Sequence, residues 1–149
     1  MSDERARNRL RLLPIVLYSV GMGYAEAAVV VYLRRIYYPE GFKLTLAPIE
    51  LHILRMEIGR EVATLVMILG VSLLAYENRL KKMGAFLLIF GIWDIFYYVF
   101  LKALLDWPAS FMTMDVLFLI PVPWIFPVVL PISISTLMVG FGLWLILRK

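Results

Sequence analysis

Glu57-Ile58-Gly59-Arg60-Glu61-Val62-Ala63-Thr64-Leu65-Val66-Met67-Ile68-Leu69 is the stretch on which the fold turns. It lies within a mostly apolar run, residues 50–76, in which Glu50, His52 and Arg55 sit near the start, and carries three charges in five residues. Crossing a bilayer takes about 20 predominantly apolar residues. If the three charges are tolerated, the run is a transmembrane helix and the chain has four of them. Charged side chains at the centre of a bilayer cost ~2.5–3.5 kcal/mol each on insertion scales, and they normally pair and face the bundle interior. Arg60 stands beside Glu57 and Glu61, close enough on a helix to pair with either.

The other three runs need no such allowance. Residues 12–34, 83–105 and 124–147 are each long and apolar enough to span. The first is too long for a signal peptide and has no small-residue cleavage site. Of the 149 residues, 62% are hydrophobic, against about 45–50% in soluble domains. The expected fold is therefore all-α, a single transmembrane domain over 1–149 built as a four-transmembrane-helix bundle. No internal repeat or soluble domain interrupts it.

Two connections are irregular. The segment between the first two helices contains Pro39, Gly41 and Pro48. Residues 109–120 suit a short outer-surface helix capped by Asp106 or Ser110. Pro121, Pro123, Pro127 and Pro131 follow, and they suggest a proline-kinked entry to the fourth helix, since proline removes a backbone donor and clashes with the preceding turn.

Charge sets the orientation. Arg5, Arg7, Arg9, Arg11, Arg79, Lys81, Lys82, Arg148 and Lys149 fall at one end of the helices, nine in all. The other end has at most four: Arg34, Arg35, Lys43 and Lys102. The positive-inside rule then places both termini in the cytoplasm, as expected for a multi-pass protein of a prokaryotic inner membrane. The net charge of +4 sits at helix ends rather than in a stripe, so nucleic acid is not an expected partner. Membrane lipid is, together with a homo-oligomer or a larger membrane complex.

Helical spacing organises the buried acids. At about 100° per residue, Glu50, Glu57, Glu61 and Thr64 form a narrow stripe, with Arg60 flanking it. Ser19, Gly23, Glu26 and Val30 share a face of the first helix; Gly91, Asp94 and Tyr98 share one of the third. Small residues beside an acid let a neighbouring helix approach closely. At about 1.5 Å per residue, Glu57 and Glu61 lie roughly 10 and 16 Å below Glu50. Glu26, Glu57, Glu61 and Asp94 can thus meet in one pocket in the outer half of the bilayer.

With Arg60, these four acids carry a formal excess of three negative charges. Such a group cannot stay ionised and dry: protons, a cation or water must reach it. Carboxylate ligands would suit a divalent metal such as Mg, Mn, Fe or Zn. Tyr98 can hydrogen-bond into the pocket. His52 falls on the other side of its helix, as an interfacial histidine or as a metal ligand completed by another group. The absence of cysteine and the single histidine give no basis for haem or Fe–S ligation by this chain. No G-x-S-x-G, H-E-x-x-H, P-loop or repeated E-x-x-H motif is present.

The runs Gly23-Tyr24-Ala25-Glu26-Ala27-Ala28, Trp93-Asp94-Ile95-Phe96-Tyr97-Tyr98 and Asp115-Val116-Leu117-Phe118-Leu119-Ile120-Pro121-Val122-Pro123-Trp124 resemble an uncharacterised family of small prokaryotic four-helix integral membrane proteins. The resemblance implies a four-helix membrane fold and marks Glu26, Asp94 and Asp115 as positions of interest. It brings no activity with it. The residues themselves admit three classes of function. One is a cation or metal site for transport, sensing or redox chemistry. The second is an accessory subunit whose charges a partner neutralises. The third is a membrane-embedded enzyme or proton-coupled carrier that uses the carboxyls.

Overall fold

The computed structural model describes residues 2–37 and 51–148, the side chains of residues 2–9 excepted. The expected connection with Pro39, Gly41, Lys43 and Pro48, and Glu50 at the head of the acidic stripe, lie outside the described residues. Four helices organise the rest: α1 (Ser2–Tyr37), α2 (Leu51–Ala75), α3 (Arg79–Leu105) and α4 (Val129–Leu147). All four contain a span long and apolar enough to cross a membrane, so the chain is a multi-pass membrane protein with a four-helix bundle.

α3 is the hub, packed against each of the other three helices. It starts at Asn78, whose side chain accepts from the amides of Leu80 and Lys81 at 2.8 and 3.3 Å and so satisfies two of the orphan donors at the helix start. It ends at Asp106, which adopts a left-handed conformation (φ 51°). In lipid, apolar burial hardly drives helices together, and close packing of small residues does much of that work. Gly84 of α3 and Gly142 of α4 face each other so closely that a Cβ on Gly142 would stand 2.7 Å from the Gly84 carbonyl oxygen. Higher up, a Cβ on Gly91 would stand 2.6 Å from the carbonyl oxygen of Ser135.

Two apolar clusters fill the bundle. One, in the half nearer the α2–α3 turn, is built on Ile15, Ile68, Ala85, Leu88, Ile89 and Ile146. The other joins Ala27, Val31, Tyr98, Leu101 and Val128 at the opposite end. Buried Glu26, Thr64, Asp94 and Ser135 lie between them.

Residues 109–120 do not form the expected short helix. They contribute a turn and then β1 (Met114–Phe118), which pairs antiparallel with β2 (Trp124–Pro127). Met114 faces Pro127, Asp115 faces Phe126 and Val116 faces Ile125, with an irregularity before Phe118 meets Trp124. A short apolar run does not distinguish strand from helix by periodicity; here Pro121 and Pro123 confine the chain to a turn, and the β-branched and aromatic residues on either side pair across it. The peptide bonds before Pro108 and Pro121 are cis. Accordingly, α4 begins at Val129 rather than 124. Pro131 sits in its first turn, where a missing N–H breaks no intrahelical bond.

The hairpin is not a surface cap. The Phe118 ring stacks on Phe90 at 6.3 Å and lies 6.5 Å from Trp93. Phe90 is fifteen residues from the end of α3 at Leu105, so the hairpin tip descends ~22 Å alongside that helix. Non-helical backbone at such depth is tolerated only where protein or a cavity covers it. The two strands satisfy much of each other, and both carboxylate oxygens of Glu61 accept from the Leu119 amide, at 3.0 and 3.1 Å.

Candidate functional site

Between the C-terminal half of α1 and the N-terminal half of α2, a cavity of about 180 Å³ is bounded by α1, α2, α3 and β1. Its wall includes Glu26 from α1, Glu57, Arg60 and Glu61 from α2, Asp94 and Tyr98 from α3, and Asp115 from β1. The structure therefore brings all of these sequence-derived site residues to one space. His52 is exposed on the first turn of α2 and does not border it.

The helices set each group by simple spacing. Glu57, Glu61 and Thr64 succeed one another by a turn along the inner face of α2. Glu26, Val30 and Arg34 do the same on α1, and all three border the cavity. Gly23 lets α1 approach α3: a Cβ there would stand 3.0 Å from the Trp93 carbonyl oxygen. That close approach carries Glu26 to the same level as Asp94.

Each acid is held differently. The Arg60 guanidinium pairs with Glu26 across the α1–α2 gap. It also donates to Glu57 at 2.8 and 3.0 Å from Nη2 and Nε. The Thr64 hydroxyl donates to the other Glu26 oxygen. Asp94 accepts from the Ser135 hydroxyl of α4 at 2.7 Å. Asp115 accepts from the Tyr98 hydroxyl at 3.0 Å, and Arg34 stands 3.6 Å away. Glu61 holds the hairpin amide of Leu119. Arg60 is thus a bridge between helices, not only the local partner of its α2 neighbours.

Two further groups belong to the site that the sequence did not single out for it. Arg34 reads as a basic residue at the helix end, and it enters the cavity wall because it lies two turns beyond Glu26 on the same face. Its guanidinium carbon also lies 3.8 Å from the centroid of the Trp107 ring. Ser135 is a lone hydroxyl in an apolar helix, with no charged neighbour to draw notice. With Asp115 and Arg34 counted, five carboxylates face two guanidinium groups among the described residues, so the formal excess there remains three negative charges.

The cavity is closed toward the α2–α3 turn. Trp93 and Thr64 stand at its depth, and below them the fully buried Ile68, Leu88, Ile89, Leu145 and Ile146 fill the bundle. Among the described residues, the indole Nε1 of Trp93 is the buried side-chain polar atom left without a hydrogen-bond partner. No group of three Asp, Glu or His side chains among the described residues gathers closely enough to hold a metal ion. The acids share a cavity, but neutral donors and arginines hold them apart.

Compared with known proteins, the chain matches no family model, no curated protein and no solved structure.

Proposed function

We propose that this chain is a multi-pass protein of a prokaryotic inner membrane, with both termini cytoplasmic, that binds a cation in its outer-half cavity for transport or sensing. One observation carries the reading: among the described residues, five carboxylates and two guanidinium groups border a single cavity. Burial and mutual repulsion penalise that many ionised acids. A bound cation offsets the excess, and the apolar plug below confines exchange to the outer side. A divalent metal would need several oxygen ligands around one point, which the separated acids supply only by rearranging.

Calorimetric titration of detergent-purified protein with inorganic and organic cations tests the reading. Saturable binding is expected, and Glu26→Gln with Asp94→Asn should weaken it by about tenfold or more, ~1.4 kcal/mol, while the helical content stays unchanged. Absence of binding by every cation class would end the proposal. The orientation is tested separately: a reporter fused after Lys149 should be active in a cytoplasmic format and silent in an external one.

A second reading, as an accessory subunit or homo-oligomer, draws on α2. Its most apolar window is 17% buried, against 50% for α3, and Gly59 and Gly70 face open space. Mass measurement in mild detergent tests it: a monomer with no co-purifying subunit would remove this reading.

A further inference from the structure

The wall of the cavity is not built alike all round. On three sides it is a helix, α1, α2 or α3. On the fourth it is β1, from which Asp115, Val116, Leu117, Phe118 and Leu119 all border the space. β2 pairs with β1, and residues 121–126, the turn and most of β2, are exposed. Among the described residues, a single hairpin thus separates the polar cavity from the outside on that side.

The two ends of this hairpin are fastened differently. Its base is tied by the chain itself, since α4 begins two residues after β2 ends. There the Val128 amide donates to the Thr113 carbonyl at 3.0 Å and the Val129 amide to the Phe111 carbonyl at 2.8 Å, and Val128 is fully buried. Close by, Asp115 accepts from the Tyr98 hydroxyl of α3. The tip has no covalent neighbour among the helices. Phe118 rests against the rings of Phe90 and Trp93, and the Leu119 amide donates to both oxygens of the Glu61 carboxylate on α2. A carboxylate acceptor makes a stronger hydrogen bond than a neutral one, but it holds the tip at one point. Few attachments and an exposed flank are the features of elements that open at low cost. Glu61 also borders the cavity, so a group that enters and takes its oxygens competes directly with the amide.

We propose that the β1–β2 hairpin is a flap, hinged at its base and latched at its tip by the Glu61–Leu119 bond, and that its swing opens the cavity sideways. When the tip leaves α2, the Phe118 ring withdraws from Phe90 and Trp93, and the wall from Val116 to Leu119 goes with it. Asp115 stays on Tyr98 and fixes the hinge. The flap goes beyond the cation reading and is independent of what the cavity binds.

The chain has no cysteine, so introduced thiols report alone. The test uses the full chain in phosphatidylcholine nanodiscs. One sample carries Val30→Cys, at a position that borders the cavity, and its reaction with a water-soluble methanethiosulfonate is timed. A second carries spin labels at Val122→Cys on the tip and Leu74→Cys on α2, both exposed positions. Glu61→Ala then removes the acceptor of the latch, and Leu119→Pro removes its donor. Each is expected to speed the thiol reaction about tenfold, the effect of losing one hydrogen bond to a charged group, and to shift the label distances toward a longer population. The two together should do little more than either alone, because they break the same bond. Gly142→Leu, which disturbs the helix packing away from the latch, should change the rate far less. Fully additive latch variants, or an equal rise in Gly142→Leu, would show general loosening and overturn the flap. Unchanged rates and distances in the latch variants overturn it too, as does a longer distance without faster reaction. Should one latch variant not fold, the other decides by the same two readouts.

Discussion

The two halves of the bundle are built on opposite terms. In the half nearer the α2–α3 turn, Gly84 and Gly142 bring α3 and α4 into backbone contact, and Ile68, Leu88, Ile89 and Ile146 close the interior. In the other half, α1, α2, α3 and β1 bound a cavity lined with ion pairs, and the hairpin lies against α3. The difference teaches where this fold takes its rigidity. Helix packing secures one half, whereas specific polar bonds across α1, α2, α3, α4 and β1 secure the other.

Removing the central bond of the polar half should have the largest effect. Arg60→Leu strips the cation shared by Glu26 and Glu57. Breaking a buried pair by deleting one partner costs about 3–5 kcal/mol. Unfolding in detergent should therefore show a large loss, and Glu26→Gln added to Arg60→Leu should restore part of it. A single variant as stable as the unmodified protein would mean that Glu26 is neutralised in another way.

The packed half should respond to volume instead. Gly142→Leu forces a side chain into the Gly84 carbonyl and Leu88 backbone, which lie within 3 Å of even a Cβ. Overpacking of this kind costs about 1–3 kcal/mol. Cation affinity should change less than stability, because Gly142 lies two turns along α4 from Ser135, the α4 residue that bonds a site carboxylate. Equal damage to stability and binding would show the halves to be one cooperative unit, and the comparison would need redrawing.

The smallest effect belongs to the exposed end of α3. Asp106 pairs with Lys102 at 2.7 Å, and the hydrogen bond and charge of Lys102 hold its carboxyl below the usual aspartate range. A depressed carboxyl stabilises the fold above its ordinary titration range and loses that contribution as pH falls through the depressed value. Asp106→Gly gives up this pair but removes the cost of a left-handed, non-glycine residue. Its melting temperature should stay within about a degree or two of the parent at neutral pH, and its dependence on acid should flatten. A sharp loss at neutral pH would show that the aspartate has a further role.

The helices were legible because span length and hydropathy are set by the bilayer itself, a constraint that leaves a plain trace in residues 12–34, 50–76 and 83–105. The meeting of Glu26, Glu57, Glu61 and Asp94 was legible for a related reason. Charges in a spanning segment must face inward, and helical spacing states which face that is. The hairpin was not. Its apolar run from Val116 to Ile120 is too short to show a period, and Asp106 and Ser110 imitate helix caps. What decides for strands is pairing with Trp124–Pro127 across the proline turn, which no local pattern displays. Arg34 was legible only as a topological charge, and Ser135 not at all, because its role exists only once α3 and α4 are together.

The bond between Glu61 and the Leu119 amide joins residues 58 positions apart. This has a consequence for synthesis. When α2 emerges into the membrane, the segment that will occupy Glu61 has not yet been made. One further helix, α3, must be threaded and β1 must follow it before that carboxylate meets its amide. Until then α2 carries Glu57, Arg60 and Glu61 into the membrane with only the partners that α1 and α2 itself can provide. The insertion machinery must therefore shelter α2 until late in translation, and a nascent chain truncated before Leu119 should remain bound to it.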